Sequence, residues 1–339
     1  MATTYLEKTF GSDGNRDKWT YSVWIKRSGI GVATALLGAA SGSDFENITF
    51  RSSDDFDWEH YASSTYKGRL LTNRKFRDPS AWYHIVVVWD SLNVTGGDRM
   101  KLYVNGVEET DFATDTNPTS GQDSLINSTA PQQVGADGSG SQDWNGTMAH
   151  AHFCDGYAYA ASDFGETDST SGIWVAKTSP SVSYGSNGYF LKFQDTSNFG
   201  DDSSGNTNDF SVGAGTMTQT KDTPDNNFCT MNPLDNYYQG MTYTQGNNTI
   251  ETDDQAPSTS TIGLDSGKWY CEGKAISTTS GTDWMIGIIS NNMNGSSNEI
   301  GHFSNDWGYK GTNGSVRTGN TDGAYGNTWG TGDILGIAL

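Results

Sequence analysis

The hydrophobic positions of this chain alternate with polar ones over short stretches, which is the pattern of β-strands. Tyr21, Val23 and Ile25 fall on one face of such a strand, and Trp24 gives the other face an aromatic residue. The run 85–88 is β-branched throughout, which also favours a strand. Because apolar side chains occupy both faces, we predict that these are central strands buried on two sides.

Turn signals separate further strands. Asn105-Gly106 lies between the strand-like runs 99–104 and 107–110, and this dipeptide predicts a β-hairpin with a type I′ turn. Residues 146–154 alternate again and predict another strand. The cluster of Ala and Leu at 31–40 is bounded by glycines, and it leaves a short helix or a central strand as open alternatives.

Composition divides the chain into two strand-rich blocks around a stretch rich in Gly, Ser, Asn and Asp. We therefore predict an all-β protein with an antiparallel β-sandwich at 1–178, a connector at 179–231 and a second β-sandwich at 232–339. The last apolar run, 334–339, is followed by no turn in this chain, so we expect the second sandwich to be incomplete.

The charge balance excludes several partners. Forty acidic residues against twenty basic ones give a formal net charge of −20, which repels nucleic acids and anionic membrane surfaces. Since apolar runs are also far shorter than the about 20 residues that span a bilayer, we expect no nucleic-acid partner and no membrane insertion. The start of the chain lacks the pattern of a secretory signal. The three cysteines, Cys154, Cys229 and Cys271, are too dispersed for a disulfide framework or a zinc site.

Four segments, in this order, resemble a laminin-G-like or pentraxin-like domain of the concanavalin A superfamily: TYSVWIKRS, WYHIVVVWDS, RMKLYVNGVEE and DWNGTMAHAHFCDG. The resemblance implies that the first sandwich is a concanavalin A-like jelly roll of two curved antiparallel sheets. Three later segments, SGKWYCEGKAI, WMIGII and GDILGIAL, are similar to SPRY domains, which implies a SPRY-like second sandwich.

A further stretch, which includes SDFGETDSTSGIWVAK and DTPDNNFCTMNPLD, resembles structural or fibre-like proteins of marine bacteriophages. This resemblance implies a virion protein, assembled in the host cytoplasm and released by lysis. The implied partners are other virion proteins and a bacterial surface glycan or receptor, and a homo-oligomer is expected.

Catalysis has little support in the sequence. Laminarinase-type relatives in the superfamily carry paired carboxylates spaced Glu-x-Asp-x-x-Glu, and that spacing is absent. The nearest acidic cluster, at 54–59, lies among loop-forming residues, and we expect it to be a solvated acidic loop. We therefore predict that the protein is not an enzyme, with a polysaccharide depolymerase as an alternative.

Calcium is the cofactor that the resemblance suggests, because relatives often bind it through loop oxygens. The candidate ligands form two acidic clusters: Asp54, Asp55 and Asp57, and Asp201, Asp202 and Asp209. His150, His152 and Cys154 have the spacing of one strand face and are residue types that transition metals accept. For these three we favour a packed core element.

Aromatic residues in polar, Gly- or Asn-rich surroundings are candidates for stacking on the apolar face of a sugar. They are Trp58, Tyr61, Trp144, Trp307 and Trp329. Together with the resemblance, they predict a non-catalytic tail fibre or appendage that adheres to glycans. A capsid decoration or cement protein with a purely structural role is the other open alternative.

Overall fold

The computed structural model describes residues 4–236, 240–251, 256–278, 284–290 and 299–339. It divides into two compact units. The first runs through Cys229 and includes Gln245–Asn247, and the second comprises Thr230–Thr244 and Asn248–Leu339. In the described residues the helices are two short 3₁₀ turns, Gly96–Asp98 and Ala161–Asp163. The predicted all-β fold is confirmed.

The first unit contains sixteen strands: β1 (Tyr5–Lys8), β2 (Lys18–Arg27), β3 (Thr34–Ser41), β4 (Asp44–Phe50), β5 (Asp55–Ala62), β6 (Thr65–Lys75), β7 (Trp82–Asp90), β8 (Met100–Val104), β9 (Val107–Glu108), β10 (Phe112–Thr116), β11 (Gln132–Val134), β12 (Gly146–Asp155), β13 (Gly165–Thr167), β14 (Trp174–Ala176), β15 (Tyr189–Leu191) and β16 (Ser211–Ala214). An eight-stranded sheet has the order β10-β6-β5-β4-β3-β11-β1-β16, and a six-stranded sheet has the order β15-β12-β2-β7-β8-β9. All pairings in both sheets are antiparallel.

The strands predicted from alternation are present. β2 and β7 pair along nine residues, from Lys18 with Asp90 to Lys26 with Trp82, at the centre of the six-stranded sheet. The ambiguous stretch 31–40 forms β3 rather than a helix. Tertiary pairing with β4 and β11 decides this outcome, which local propensity leaves open.

The core lies between the two sheets. Alternate residues of β2 point into it, and Trp19, Trp58 and Trp89 form its aromatic centre with ring centroids 5.5 to 6.5 Å apart. All three indoles are fully buried. Burial of each side chain contributes on the order of 2–3 kcal/mol relative to exposure.

The predicted hairpin joins β8 to β9 across Asn105 and Gly106. Both residues have positive φ, 49° and 82°, as a type I′ turn requires. A Cβ on Gly106 would lie 2.7 Å from the indole of Trp174, so this position has no space for a side chain. Glycine is therefore needed here for both backbone conformation and packing.

The second face of the six-stranded sheet is covered by later segments of the same unit. Trp174 of β14 donates its indole N–H to Nδ1 of His84, 3.0 Å away. Because Nδ1 accepts this bond, the imidazole proton lies on Nε2, which donates to the Ser22 hydroxyl at 2.8 Å. Burial lowers the pKa of His84 to about 3. This cover explains why β2 and β7 are buried on both faces.

A buried ion pair holds another covering segment. Nζ of Lys26 donates to Asp222 at 2.7 Å and to the carbonyl of Phe228 at 2.6 Å, and Trp82 donates its indole N–H to the same carboxylate at 2.9 Å. Lys26 and Asp222 are 2% and 5% exposed. The stretch 179–231, predicted as a connector, thus contributes packing as well as β15 and β16 to the first unit. The domain boundaries themselves stay a prediction.

The second unit contains ten short strands: β17 (Met231–Asn236), β18 (Thr242–Thr244), β19 (Thr249–Glu251), β20 (Ser258–Ser260), β21 (Tyr270–Lys274), β22 (Met285–Ile288), β23 (Trp307–Lys310), β24 (Ser315–Thr318), β25 (Thr321–Ala324) and β26 (Ile334–Ala338). β22 to β25 form a four-stranded meander, and the other strands pair as β17-β20, β18-β19 and β21-β26. Among the described residues, no helix is long and apolar enough to span a membrane.

Candidate ligand-binding face of the larger sheet

The eight-stranded sheet has a second face that points away from the core. In β5, Phe56, Trp58 and His60 are buried on the core side, and residues at odd positions point outward. β4 and β6 pair with β5 on either side. Cross-strand partners share a face, so Phe45 of β4 joins Tyr61 on the outer side.

Six outward residues of these three strands form a continuous cluster, which we call the aromatic–carboxylate face: Phe45, Asp57, Glu59, Tyr61, Tyr66 and Arg69. Its aromatic part is a row of three rings. Phe45 and Tyr61 are stacked with centroids 5.2 Å apart and planes inclined by 15°, and Tyr66 meets Tyr61 edge-on at 5.1 Å. Tyr66 is 43% exposed, so the row reaches solvent.

The charged part of this face is organised by Arg69. Its guanidinium donates two bonds to Asp57, at 2.9 and 2.6 Å, and lies 3.8 Å from Glu59. The same group lies over the ring of Tyr66, 4.9 Å from its centroid. Two-point pairing fixes the guanidinium plane, so the arginine is held rigidly beside the exposed tyrosine.

Glu59 occupies a different electrostatic environment from Asp57. Burial, followed by the neighbouring charge of Asp57, raises the pKa of Glu59 above its ordinary value. Its side chain keeps 19% exposure, whereas that of Asp57 keeps 4%. Glu59 is therefore the carboxylate of this face that solvent and ligands reach, and Asp57 serves to hold Arg69.

This arrangement suits a polyhydroxylated ligand. Aromatic rings offer flat apolar surfaces, and carboxylate, phenol and guanidinium groups beside them accept or donate hydrogen bonds. The groups are preformed, because strand pairing and the bidentate ion pair set their positions before any ligand binds. The face is consequently a binding platform with directional polar groups at its edge.

The structure separates the aromatic residues predicted for a ligand site. Tyr61 lies on the aromatic–carboxylate face, but Trp58 is fully buried in the core and has no surface to offer a ligand. Trp144 is half-buried and packs against Phe50 at 6.1 Å. Trp307 is 48% exposed but belongs to the second unit.

The expectation of a solvated loop at 54–59 is wrong. Residues 55–59 belong to β5, and Asp54 directly precedes it. Asp54, Asp55 and Asp57 are only 2 to 6% exposed. Asp54 pairs with Arg27 at 3.2 Å and Asp55 with Lys75 at 2.7 Å, as Asp57 does with Arg69. Basic side chains thus compensate the charge of every predicted calcium ligand in this cluster.

The second predicted calcium cluster forms a folded loop. Asp202 accepts hydrogen bonds from the backbone N–H of Phe190, Ser204 and Asn208 at 2.8 to 2.9 Å, and its own N–H donates to Asp209 at 2.9 Å. Asp202 therefore organises the loop, while Asp201 is exposed beside it. Within the described ranges, no group of three or more His, Cys, Asp or Glu is arranged to hold a metal ion. Calcium binding stays a prediction.

His150, His152 and Cys154 do not share one regular strand face. The pairing of β12 with β2 shifts register between Ala149 and His152, and His150 has a φ of 49°. His152 stacks on Phe190 at 3.9 Å and hydrogen-bonds to the hydroxyl of Tyr184. The favoured interpretation of a packed core element agrees with these contacts.

Sequence reasoning missed half of the aromatic–carboxylate face. Phe45, Tyr66 and Arg69 were not singled out, although the alternation of outward residues through β4 and β5 carried the signal. Treating 54–59 as a solvated loop separated its carboxylates from the aromatic candidate Tyr61. Recognition of β5 as a strand would have placed Glu59 and Tyr61 together on one face.

Comparison with known proteins supports the fold of the first unit. The model of the concanavalin A-like lectin/glucanases superfamily matches residues 2–163. No curated protein matches the chain.

Similar solved structures include a heptameric SAP-like pentraxin from Limulus polyphemus, with 16% identity, coverage of 52% of this chain and 87% of that one, and a TM-score of 0.35. The CBM40 of a Ruminococcus gnavus sialidase bound to sialyllactose has 12% identity, coverage of 44% of this chain and 89% of that one, and a TM-score of 0.29. Tailspike protein 2 of Escherichia coli O157:H7 bacteriophage CAB120 has 11% identity, coverage of 47% of this chain and 22% of that one, and a TM-score of 0.29. Residues 2–163 are similar to the concanavalin A-like lectin/glucanases superfamily, and the first unit has the corresponding fold of antiparallel β-sheets.

Proposed function

We propose that this protein is a non-catalytic adhesion protein that binds carbohydrate on the aromatic–carboxylate face. The observation that carries the proposal is the solvent-reaching row of Phe45, Tyr61 and Tyr66 beside Glu59 and Arg69. A row of aromatic rings that reaches solvent at Tyr66 presents apolar surface to water, which is costly for a protein that only needs to remain folded. A sugar ring stacked on it removes that surface from water.

Directional contacts accompany the stacking. Glu59 already accepts a hydrogen bond from the hydroxyl of Tyr66 beside it, and in the proposed complex it accepts further hydrogen bonds from sugar hydroxyls. The face carries two carboxylates and one guanidinium, and the chain has a net charge of −20. These charges favour neutral glycans over acidic ones, because an acidic sugar meets a negative field on approach.

The carboxylates of the aromatic–carboxylate face do not meet the requirements of a glycosidase. A retaining glycosidase needs one carboxylate free to attack the sugar, with its partner about 5 Å away as the acid. Here Asp57 is bound at two points by Arg69 and is almost fully covered. Glu59 alone remains accessible, and one carboxylate supports binding better than hydrolysis.

The place of action that we propose is a bacteriophage particle, where the protein serves as a tail fibre or appendage. Support comes from the phage-like segments in the stretch 162–235 and from the SPRY-like segments of the second unit. Particles carry many symmetric copies, and multivalency raises weak affinity for a single sugar site by orders of magnitude. The proposed partners are other virion proteins, further copies of this chain and a bacterial surface glycan.

A glycan array tests this proposal. The labelled wild-type chain is expected to bind neutral oligosaccharides, and Tyr61→Ala/Tyr66→Ala is expected to lose the part of that binding that the aromatic–carboxylate face provides. Tyr157→Ala is a matched control, because Tyr157 is 41% exposed and stacks on another tyrosine, yet lies outside the face. Equal binding by the double variant and the control would disprove the proposed site, and reducing sugar released from the bound glycans would disprove the non-catalytic assignment.

A further inference from the structure

A cleft in the second unit has the composition of a small-ligand site. Its volume is about 520 Å³, and it is broadly open to solvent. The indoles of Trp284 and Trp329 form its apolar walls, and the backbone of Gly311 and Gly330 and the carboxylate of Asp333 complete it. It lies in a different unit from the aromatic–carboxylate face.

Hydrogen bonds fix the two indoles. Trp284 donates its ring N–H to the carbonyl of Trp329 at 3.0 Å, and the rings meet at 73° with centroids 6.3 Å apart. Gly311 donates its N–H to Trp284 and accepts the N–H of Trp329, at 2.9 and 3.0 Å. A Cβ at Gly311 would collide with the Trp284 ring, so the glycine lets the indole lie against the backbone. The walls of the cleft are therefore preformed.

The polar groups of the cleft specify its charge. One oxygen of Asp333 accepts the N–H of Gly330 at 2.8 Å, which orients the carboxylate. Thr312 and Thr328 add hydroxyl groups to the lining. Among the described residues, no lysine, arginine or histidine lines the cleft. It thus combines two fixed aromatic walls with one negative charge.

We propose that this cleft is a second carbohydrate site, which takes one residue of a neutral sugar chain. The two indoles at a steep angle contact one face and one edge of a pyranose ring, and Asp333 and the threonines bind its hydroxyls. Because the described lining of the cleft contains no cationic side chain to balance Asp333, the carboxylate excludes uronic and sialic acids. The inference rests on the proposed glycan-binding function and extends it to two separate sites on one chain, which increases avidity.

The test uses the full chain labelled with 5-fluorotryptophan and followed by ¹⁹F NMR. The probes are maltohexaose, cellohexaose and mannohexaose, with hexagalacturonate as the acidic counterpart. Trp329→Phe assigns the Trp329 resonance. That resonance is expected to shift with at least one neutral probe and to stay in place with hexagalacturonate. Trp307 is the matched control, since it is 48% exposed in the same unit and does not line the cleft.

Two variants separate this site from the first. The Trp329 shift is expected to persist in Tyr61→Ala/Tyr66→Ala and to weaken at least fivefold in apparent affinity in Asp333→Asn, which preserves shape but removes charge. If the wild-type chain binds a neutral probe while the Trp329 resonance is static, the cleft is not a sugar site and the first site stands. A shift with hexagalacturonate alone overturns the neutral specificity. If no probe binds at all, both proposals fail.

Discussion

Acidification is expected to destabilise the first unit through His84. Its imidazole is fully buried beneath Trp174, whose indole N–H donates to Nδ1. Protonation of Nδ1 removes that acceptor and places a charge in an apolar site. Burial, followed by the charge of His150, accordingly lowers the pKa of His84 from 6.5 to about 3.

The magnitude follows from linkage between protonation and folding. Below pH 6.5 the unfolded chain binds a proton at this histidine, whereas the folded chain binds one only near pH 3. Stability is therefore complete above pH 6.5 and falls as the pH drops through this window. At pH 4.5, two units below the unfolded value, His84 alone removes about 2.7 kcal/mol.

Urea unfolding at pH 7.5 and 4.5 measures this effect. His84→Gln cannot titrate, so the loss of unfolding free energy between the two pH values is expected to be about 2.7 kcal/mol smaller in the variant than in the wild type. The pKa values of His150 and His152 are also lowered by burial, and the comparison cancels their contribution. An NMR titration gives an independent readout if the variant folds poorly. An imidazole of His84 that protonates near pH 6 would refute the reasoning.

The remaining structural predictions concern packing in the first unit. Asp222→Ala leaves the ammonium of Lys26 buried without its carboxylate, and it should lower the free energy of unfolding by about 3–5 kcal/mol. Asp98→Ala removes an exposed ion pair with Lys101 and should lower the free energy of unfolding by less than about 1 kcal/mol in the same urea titration. Equal losses in Asp222→Ala and Asp98→Ala would show that burial does not determine the cost. Gly106→Ala should lower the melting temperature more than Gly31→Ala. Both positions have positive φ, but only Gly106 lacks space for a Cβ, so an equal fall would show that the clash is relieved at no cost.

The central strands could be predicted from the sequence because their own residues carry the β-strand pattern. The run 85–88 of β7 is apolar on both faces, and two-sided burial makes such runs visible in one sequence. Asn105-Gly106 specified its turn for a similarly local reason, since positive φ at both positions is a property of those residues.

The candidate face was hidden because distant residues determine it. Asp57 is acceptable within a buried strand only because Arg69, on the neighbouring strand, compensates its charge. Trp58 has polar neighbours in sequence, yet alternation turns it towards Trp19 and Trp89 in the core. The composition around these residues therefore predicted their exposure wrongly. Strand pairing, which a single sequence does not show, decides which face they occupy.

The short strand β16 in the predicted connector was missed for the same reason. It contains four residues, too few to show periodicity against a background of Gly, Ser and Asn. It forms because β1 offers an open edge for pairing. Its existence depends on contacts between residues that lie far apart in the chain.

Isothermal calorimetry with the best neutral oligosaccharide from the array tests the central claim most directly. Removal of two stacking rings in Tyr61→Ala/Tyr66→Ala is expected to weaken binding at the aromatic–carboxylate face at least thirtyfold, at about 1 kcal/mol or more for each ring. The Tyr157→Ala control is expected to bind within twofold of the wild type. An unchanged dissociation constant in a double variant that unfolds at the wild-type urea concentration would show that the glycan binds elsewhere.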